Sequence, residues 1–97
     1  MDNARLSELF GGAKRFAVLR ELFLSPARWF NTSELARLAD SPVSATNRWL
    51  NRWAKLGIAE KSVDGFNVRF RASSDPLLAG LHDILTGPEA VQPRSIE

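Results

Sequence analysis

The sequence predicts a mainly α-helical chain carrying one small β-hairpin, in the order α-α-β-α-α-β-β-α. Three observations predict it. Apolar residues recur at helical spacing in successive stretches. Asp64-Gly65 lies between two extended runs, a strong two-residue turn signal. Breakers separate the stretches: Gly11-Gly12, Ser25-Pro26, Asp40-Ser41-Pro42, Gly57 and Gly87-Pro88.

Leu6, Leu9 and Phe10 have helical spacing, which predicts a short first helix ended by the glycine pair. Ala13 to Leu24 reads as a strong helix. Phe16, Leu19 and Phe23 share a face with Val18 and Leu22 beside it, while Lys14 and Glu21 point away. Ser25-Pro26 stops it, because proline restricts the preceding residue and lacks the helical donor. Residues 28–30 (Arg28-Trp29-Phe30) read as a short edge strand.

Asn31 reads as a helix N-cap with Glu34 as its capping-box partner, Thr32 being the competing cap. Leu35, Ala36, Leu38 and Ala39 make a two-turn helix. After Asp40-Ser41-Pro42, either Ser41 or Ser44 can cap the next helix, with Pro42 at its first position in the former case. That helix spans about Val43 to Leu56. Stepping about 100° per residue places Thr46, Trp49, Leu50, Trp53 and Leu56 on one buried arc. Ser44, Asn47, Arg48, Asn51, Arg52 and Lys55 fall on the opposite side, which holds no carboxylate. An ordinary solvated helix face mixes charge signs to gain i,i+4 pairs.

Gly57 is the expected C-cap. A type I′ turn at Asp64-Gly65 would pair Val63 with Phe66, Lys61 with Val68 and Ala59 with Phe70, placing Val63, Phe66, Val68 and Phe70 on a face buried near its base. Glu60 opposite Arg69 and Ser62 opposite Asn67 would line the other face. Ser74 or Asp75 caps a last helix that begins at Pro76, carries Leu77, Leu78, Leu81, Ile84 and Leu85, and stops at Gly87-Pro88. Residues 1–87 are thus expected to form one domain and 88–97 a disordered tail.

Composition bounds the function. The 97 residues are 44% hydrophobic and 25% charged, an ordinary globular mix at the size of one small domain. No apolar run approaches a bilayer span and no secretory segment is evident, so a soluble, cytoplasmic protein is expected. With no cysteine, no disulfide, thiolate or cysteine metal site is possible. His82 is the only histidine and has no second ligand at suitable spacing, so neither metal nor cofactor is expected. Nucleotide-binding glycine motifs and a nucleophile elbow are missing, which argues against an enzyme. Net charge is only +2 but unevenly spread. Residues 44–71 hold six cationic side chains against two acidic ones, while residues 72–97 hold one arginine against four acids. A basic middle beside an acidic end suits a polyanion on one side and a different partner on the other.

Two helices joined by a tight turn, the second with an Asn/Arg/Lys face, form helix-turn-helix geometry, and a hairpin following directly is a wing. Further residues carry a resemblance: Leu9-Phe10-Gly11 with Arg15 and Leu19-Arg20, Glu34-Leu35-Ala36, then Leu50, Arg52, Trp53, Lys55 and Gly57, and Phe70-Arg71-Ala72. Over roughly residues 5–86 the chain resembles the winged helix-turn-helix transcriptional regulators of the ArsR/MarR-like superfamily, and most closely a compact subgroup of predicted regulators. It departs from them at Asp40-Ser41-Pro42, where a glycine-containing turn is usual, and at Trp49 and Trp53, which replace smaller aliphatics.

The resemblance implies binding of double-stranded DNA as a homodimer, with the reading helix in the major groove. The expected function is a sequence-specific regulator, a repressor by this reading. Ser44, Asn47, Arg48, Asn51 and Arg52 are expected to read bases or flanking phosphates. Lys55, Lys61, Asn67, Arg69 and Arg71 are expected to hold the backbone. Leu78, Leu81 and Leu85 are expected across the dimer axis, with Leu6, Leu9 and Phe10 contributing. Two alternatives remain at this point: a winged-helix protein-interaction module, and a plasmid or phage replication or partition factor.

Overall fold

The computed structural model describes residues 11–86. Four helices and a two-stranded antiparallel hairpin form one layered body: α1 (Ala13–Leu24), α2 (Thr32–Ala39), α3 (Val43–Lys55), β1 (Ala59–Asp64), β2 (Asn67–Ala72), a 3-10 turn (Pro76–Leu78) and α4 (Ala79–Thr86). The expected first helix, with Leu6, Leu9 and Phe10, and the expected tail at 88–97 lie outside the described residues.

Helix α1 is the hub of the core. Phe16, Val18, Leu19, Leu22 and Phe23 are all buried, as their spacing requires. Around them pack Phe30, Leu35, Leu50, Trp53, Phe70 and Leu85. Trp49 is only half-buried against this cluster, with the Arg15 guanidinium 5.5 Å from its ring centroid, so it caps the core rather than filling it. Leu56, expected inside, is exposed. The chain leaves α3 there: Ile58 N–H donates to the Trp53 carbonyl (2.9 Å) and Gly57 N–H to that of Ala54 (3.2 Å), a Schellman closure with Gly57 at φ 79°.

Helix α2 begins with the expected capping box. Asn31 Oδ1 accepts from Glu34 N–H (2.8 Å), and the Glu34 carboxylate accepts from Asn31 N–H (3.0 Å). That backbone hydrogen bond, aided by the Arg28 guanidinium, holds the Glu34 carboxyl below its ordinary pKa. Asp40 ends α2 in the left-handed region at φ 53°, taking the place a glycine would suit. Its backbone carbonyl and carboxylate both accept from Lys14 Nζ, which ties the turn to the start of α1. Pro42, not Ser41 or Ser44, occupies the N-cap of α3, and no side chain caps that end. Ser41 works differently. Thr46 Oγ1, fully buried, donates to the Pro42 carbonyl (2.7 Å), and Ser41 Oγ donates to Thr46 Oγ1 (2.6 Å).

The hairpin differs from expectation in register. Asp64 pairs with Asn67, Val63 with Val68, Lys61 with Phe70, Glu60 with Arg71 and Ala59 with Ala72. The two-residue loop is therefore Gly65-Phe66. Gly65 has φ 62° and no other wing residue has positive φ. This is the type II′ requirement, met by one glycine, whereas the expected I′ turn also needs positive φ at Asp64. Each β1 residue meets a partner two places further along β2, so side chains keep their faces. Phe66 alone leaves the ladder; it and Val63 are exposed. Ser62 now faces Arg69 and Glu60 faces Arg71.

The expected edge strand at 28–30 contracts to a single bridge, Phe30 with Phe70, closed by backbone hydrogen bonds of 2.8 and 2.7 Å. The last helix opens as a 3-10 turn capped by Asp75, whose side chain accepts from Leu77 N–H (3.0 Å). Leu85 is fully buried in the chain's own core and is not available to a partner; Leu81 is half-buried against that core. The exposed aliphatics of this segment are Leu77 and Ile84.

Candidate nucleic-acid interface

The outer side of α3 follows from its inner side. With Thr46, Leu50 and Trp53 buried, a 3.6-residue period turns Ser44, Asn47, Arg48, Arg52 and Lys55 outward, and all five are exposed. Asn51 is half-buried between them and the wing. Among the described residues, Arg48, Arg52 and Lys55 make no ion pair.

The wing closes over one flank of this surface. Lys61 Nζ donates to Asn51 Oδ1 at 2.7 Å and lies 5.9 Å from the Phe70 ring centroid. Asn51 Nδ2 donates to the Asn47 carbonyl (2.9 Å) and to Asn47 Oδ1 (3.3 Å). Thr32 Oγ1, from the first turn of α2, donates to the same Asn47 Oδ1 (3.2 Å). One hydrogen-bonded chain thus joins α2, α3 and β1. Beside it an open cleft of about 770 Å³ separates α3 from β1, lined by Asn51, Arg52, Lys55, Glu60 and Lys61. Arg52, Lys55 and Lys61 give it a cationic rim.

The remaining wing residues divide. Asn67 and Arg69 are exposed on β2. Arg71 is engaged by the protein itself: half-buried, its Nε donates to Glu60 Oε1 at 2.8 Å, and its guanidinium lies 4.4 Å from the Trp29 ring centroid. Glu60 also accepts from Ser74 N–H and Oγ, each at 3.3 Å. These contacts, Arg71 foremost, hold the Glu60 carboxyl below its ordinary pKa. Arg71 therefore braces the wing base, while Arg69 is open to a ligand.

The structure brings Ser44, Asn47, Arg48, Asn51, Arg52, Lys55 and Lys61 onto one surface and leaves Arg71 apart from it. Sequence reasoning missed Thr32, read only as a competing cap, and read Lys61 as a wing residue alone. No local signal connects Lys61 to Asn51, because they belong to different elements. No group of His, Asp or Glu among the described residues could hold a metal ion. No described helix is long and apolar enough to cross a membrane.

No protein-family model and no curated protein sequence matches the chain. Solved structures do resemble it. It is similar to a predicted DNA-binding transcriptional regulator from E. coli, with 22% identity and a TM-score of 0.63 over 84% of this chain and 83% of that one. It is also similar to a protein from Methanosarcina mazei described as a possible transcriptional regulator, with 17% identity and a TM-score of 0.61 over 84% of this chain and 72% of that one. At these identities the likeness establishes the fold: a helix-turn-helix followed by a hairpin wing.

Proposed function

We propose that the chain is a sequence-specific double-stranded DNA-binding transcriptional regulator, acting as a homodimeric repressor. One observation carries the reading. Beyond Val43 at its start, the exposed residues of α3 are all amide, hydroxyl, guanidinium and ammonium, their cations form no ion pair among the described residues, and a wing lysine joins them. Such a surface fits base edges and phosphates. The two proteins of similar fold are described as regulators, which agrees with it. Ser44, Asn47, Arg48 and Arg52 face the bases in this reading, Lys55, Asn67 and Arg69 face the backbone, and the hydrogen-bonded Asn51 and Lys61 lie where the helix and the wing meet.

One reading helix and one wing cover about half a site, since single modules of this size bury roughly 600–1,000 Å² on DNA. A two-fold dimer with half-sites about one helical turn apart supplies the remainder. Leu77 and Ile84, with Leu78 and Leu81 beside them, replace Leu85 as the aliphatics offered to a second copy.

Duplex titration across salt tests the reading. Each phosphate neutralised lowers log K by about 0.9 per unit of log salt, so affinity falls steeply from low to physiological salt. Arg48→Ala costs about 1–3 kcal/mol on the preferred site. An affinity indifferent to salt removes the DNA reading. Sedimentation of the full chain, free and on a two-half-site duplex, tests the dimer; a monomer in both removes it.

A protein-interaction module is the second reading, favoured by Phe66, which projects fully exposed from the wing tip. Absence of duplex binding even at low salt decides for it. A gel shift on fragments of the chain's own promoter region separates a regulator from a replication or partition factor.

A further inference from the structure

We propose that the α3 surface discriminates guanine from adenine, with Lys61 of the wing as a reading residue and Asn51 as the residue that positions it. The proposal rests on the DNA-binding reading above and specifies which bases that surface selects.

The orientation of the amides follows from chemistry. An ammonium has only donors, so the Asn51 atom 2.7 Å from Lys61 Nζ is the carbonyl oxygen. Asn51 Nδ2 is then turned to Asn47, and its two hydrogens go to the Asn47 backbone carbonyl and side-chain oxygen. Asn47 Oδ1 also accepts from Thr32 Oγ1, which fills its two lone pairs.

Adenine is identified in the major groove by one amide that donates to N7 and accepts from N6–H at once. Asn51 has no free donor for that contact, and Asn47 has no free acceptor. Either residue would have to surrender existing bonds to make it. Apart from the Ser44 hydroxyl, which can donate or accept but cannot make the paired amide contact, what the surface still offers is donors: the Asn47 Nδ2 hydrogens, the remaining hydrogens of Lys61, the Arg48 and Arg52 guanidinium groups and Lys55. Guanine is the base whose major-groove edge presents two adjacent acceptors, N7 and O6, and lysine and arginine match them. Lys61 is pre-positioned for this. Its ammonium is held against Asn51, where the wing closes on the α3 face, by a charge-assisted hydrogen bond, and is not left to extend along the wing.

The test is selection of duplexes from a random pool by the full chain, followed by single 7-deazaguanine replacements, which delete the N7 acceptor. A guanine in the selected site at which this replacement lowers affinity about tenfold supports the proposal. Lys61→Met and Asn51→Ala should each erase the preference at that position, and the double variant should lose no more than either single one. Lys61 is exposed and Asn51 half-buried at the surface, so circular dichroism of both variants should match the parent. A selected adenine whose preference is lost in Asn51→Ala and kept in Lys61→Met overturns the proposal and makes Asn51 the direct reader. A Lys61→Met variant that weakens all duplexes equally also overturns it, because Lys61 is then a phosphate contact. Both of those outcomes leave DNA binding intact. A parent chain that binds no duplex at low salt instead defeats the DNA-binding reading itself.

Discussion

Phe66 and Phe70 lie four residues apart on one hairpin and end at opposite extremes, 105% and 0% exposed. The base of the wing belongs to the core. There Phe70 is bridged to Phe30, Ala59 and Ala72 are buried, and Arg71 lies between Glu60 and Trp29. The tip has no such neighbours: Val63, Asp64, Gly65 and Phe66 are all exposed. Burial here depends on what stands opposite each residue, since both phenylalanines have the same chemistry. The base anchors the hairpin and the tip is left free to touch another molecule.

Changes at the base and tip should therefore diverge. Phe70→Ala removes a fully buried ring at the junction of α1, β1 and Phe30, and should lower unfolding free energy by about 3–5 kcal/mol in urea titration. A loss under about 1 kcal/mol would mean that the base is not core.

Gly65→Ala should cost about 1–2 kcal/mol, because Gly65 holds φ 62° in a turn that needs it. Nothing crowds the position, so the penalty is in the backbone alone. Replacement without loss of stability would show that the turn can take another shape.

Arg71→Ala should cost about 1 kcal/mol, from its half-exposed pair with Glu60 and its contact with Trp29. Its pH dependence is diagnostic. The folded-state pKa of Glu60 is depressed, so its contribution is present above the ordinary value of 4.5 and is lost as pH falls through the folded value. Acid titration of stability should thus show a smaller loss below pH 4.5 in Arg71→Ala than in the parent. Part of the acid loss should remain, because the Glu34 carboxyl is depressed as well. Identical acid profiles would detach Arg71 from the wing base.

Phe66→Ser should change stability by no more than about 0.5 kcal/mol, as expected of an exposed loop position. A larger loss would show that the tip is covered, by a second copy or by residues outside those described.

The four described helices were legible in the sequence because local rules make them. The α1 apolar spacing, the Asn31–Glu34 capping box and the Gly57 stop each act within a few residues. The polar side of α3 was legible for the same reason. Its members lie on one helix, and 3.6 residues per turn place Asn47, Arg48, Asn51 and Lys55 together whatever packs behind them. Leu56 was misread because periodicity continues past the point where Gly57 turns the chain away.

Other features depended on contacts between elements. Asp64-Gly65 announced a turn, but the loop settled one residue later, at Gly65-Phe66, where a single glycine supplies the positive φ and Glu60 meets Arg71. That shift sent Phe66 into solvent. Leu85 carries the same helical pattern whether it faces a partner or its own core, and the packing of α4 on α1 buried it. Lys61 and Asn51 are ten residues apart on different elements, and no spacing rule joins a strand to a helix. Sequence periodicity determined which residues share a face. Only the tertiary structure decided what covers each face, because burial and hydrogen bonding are set by the neighbour that arrives from elsewhere in the chain.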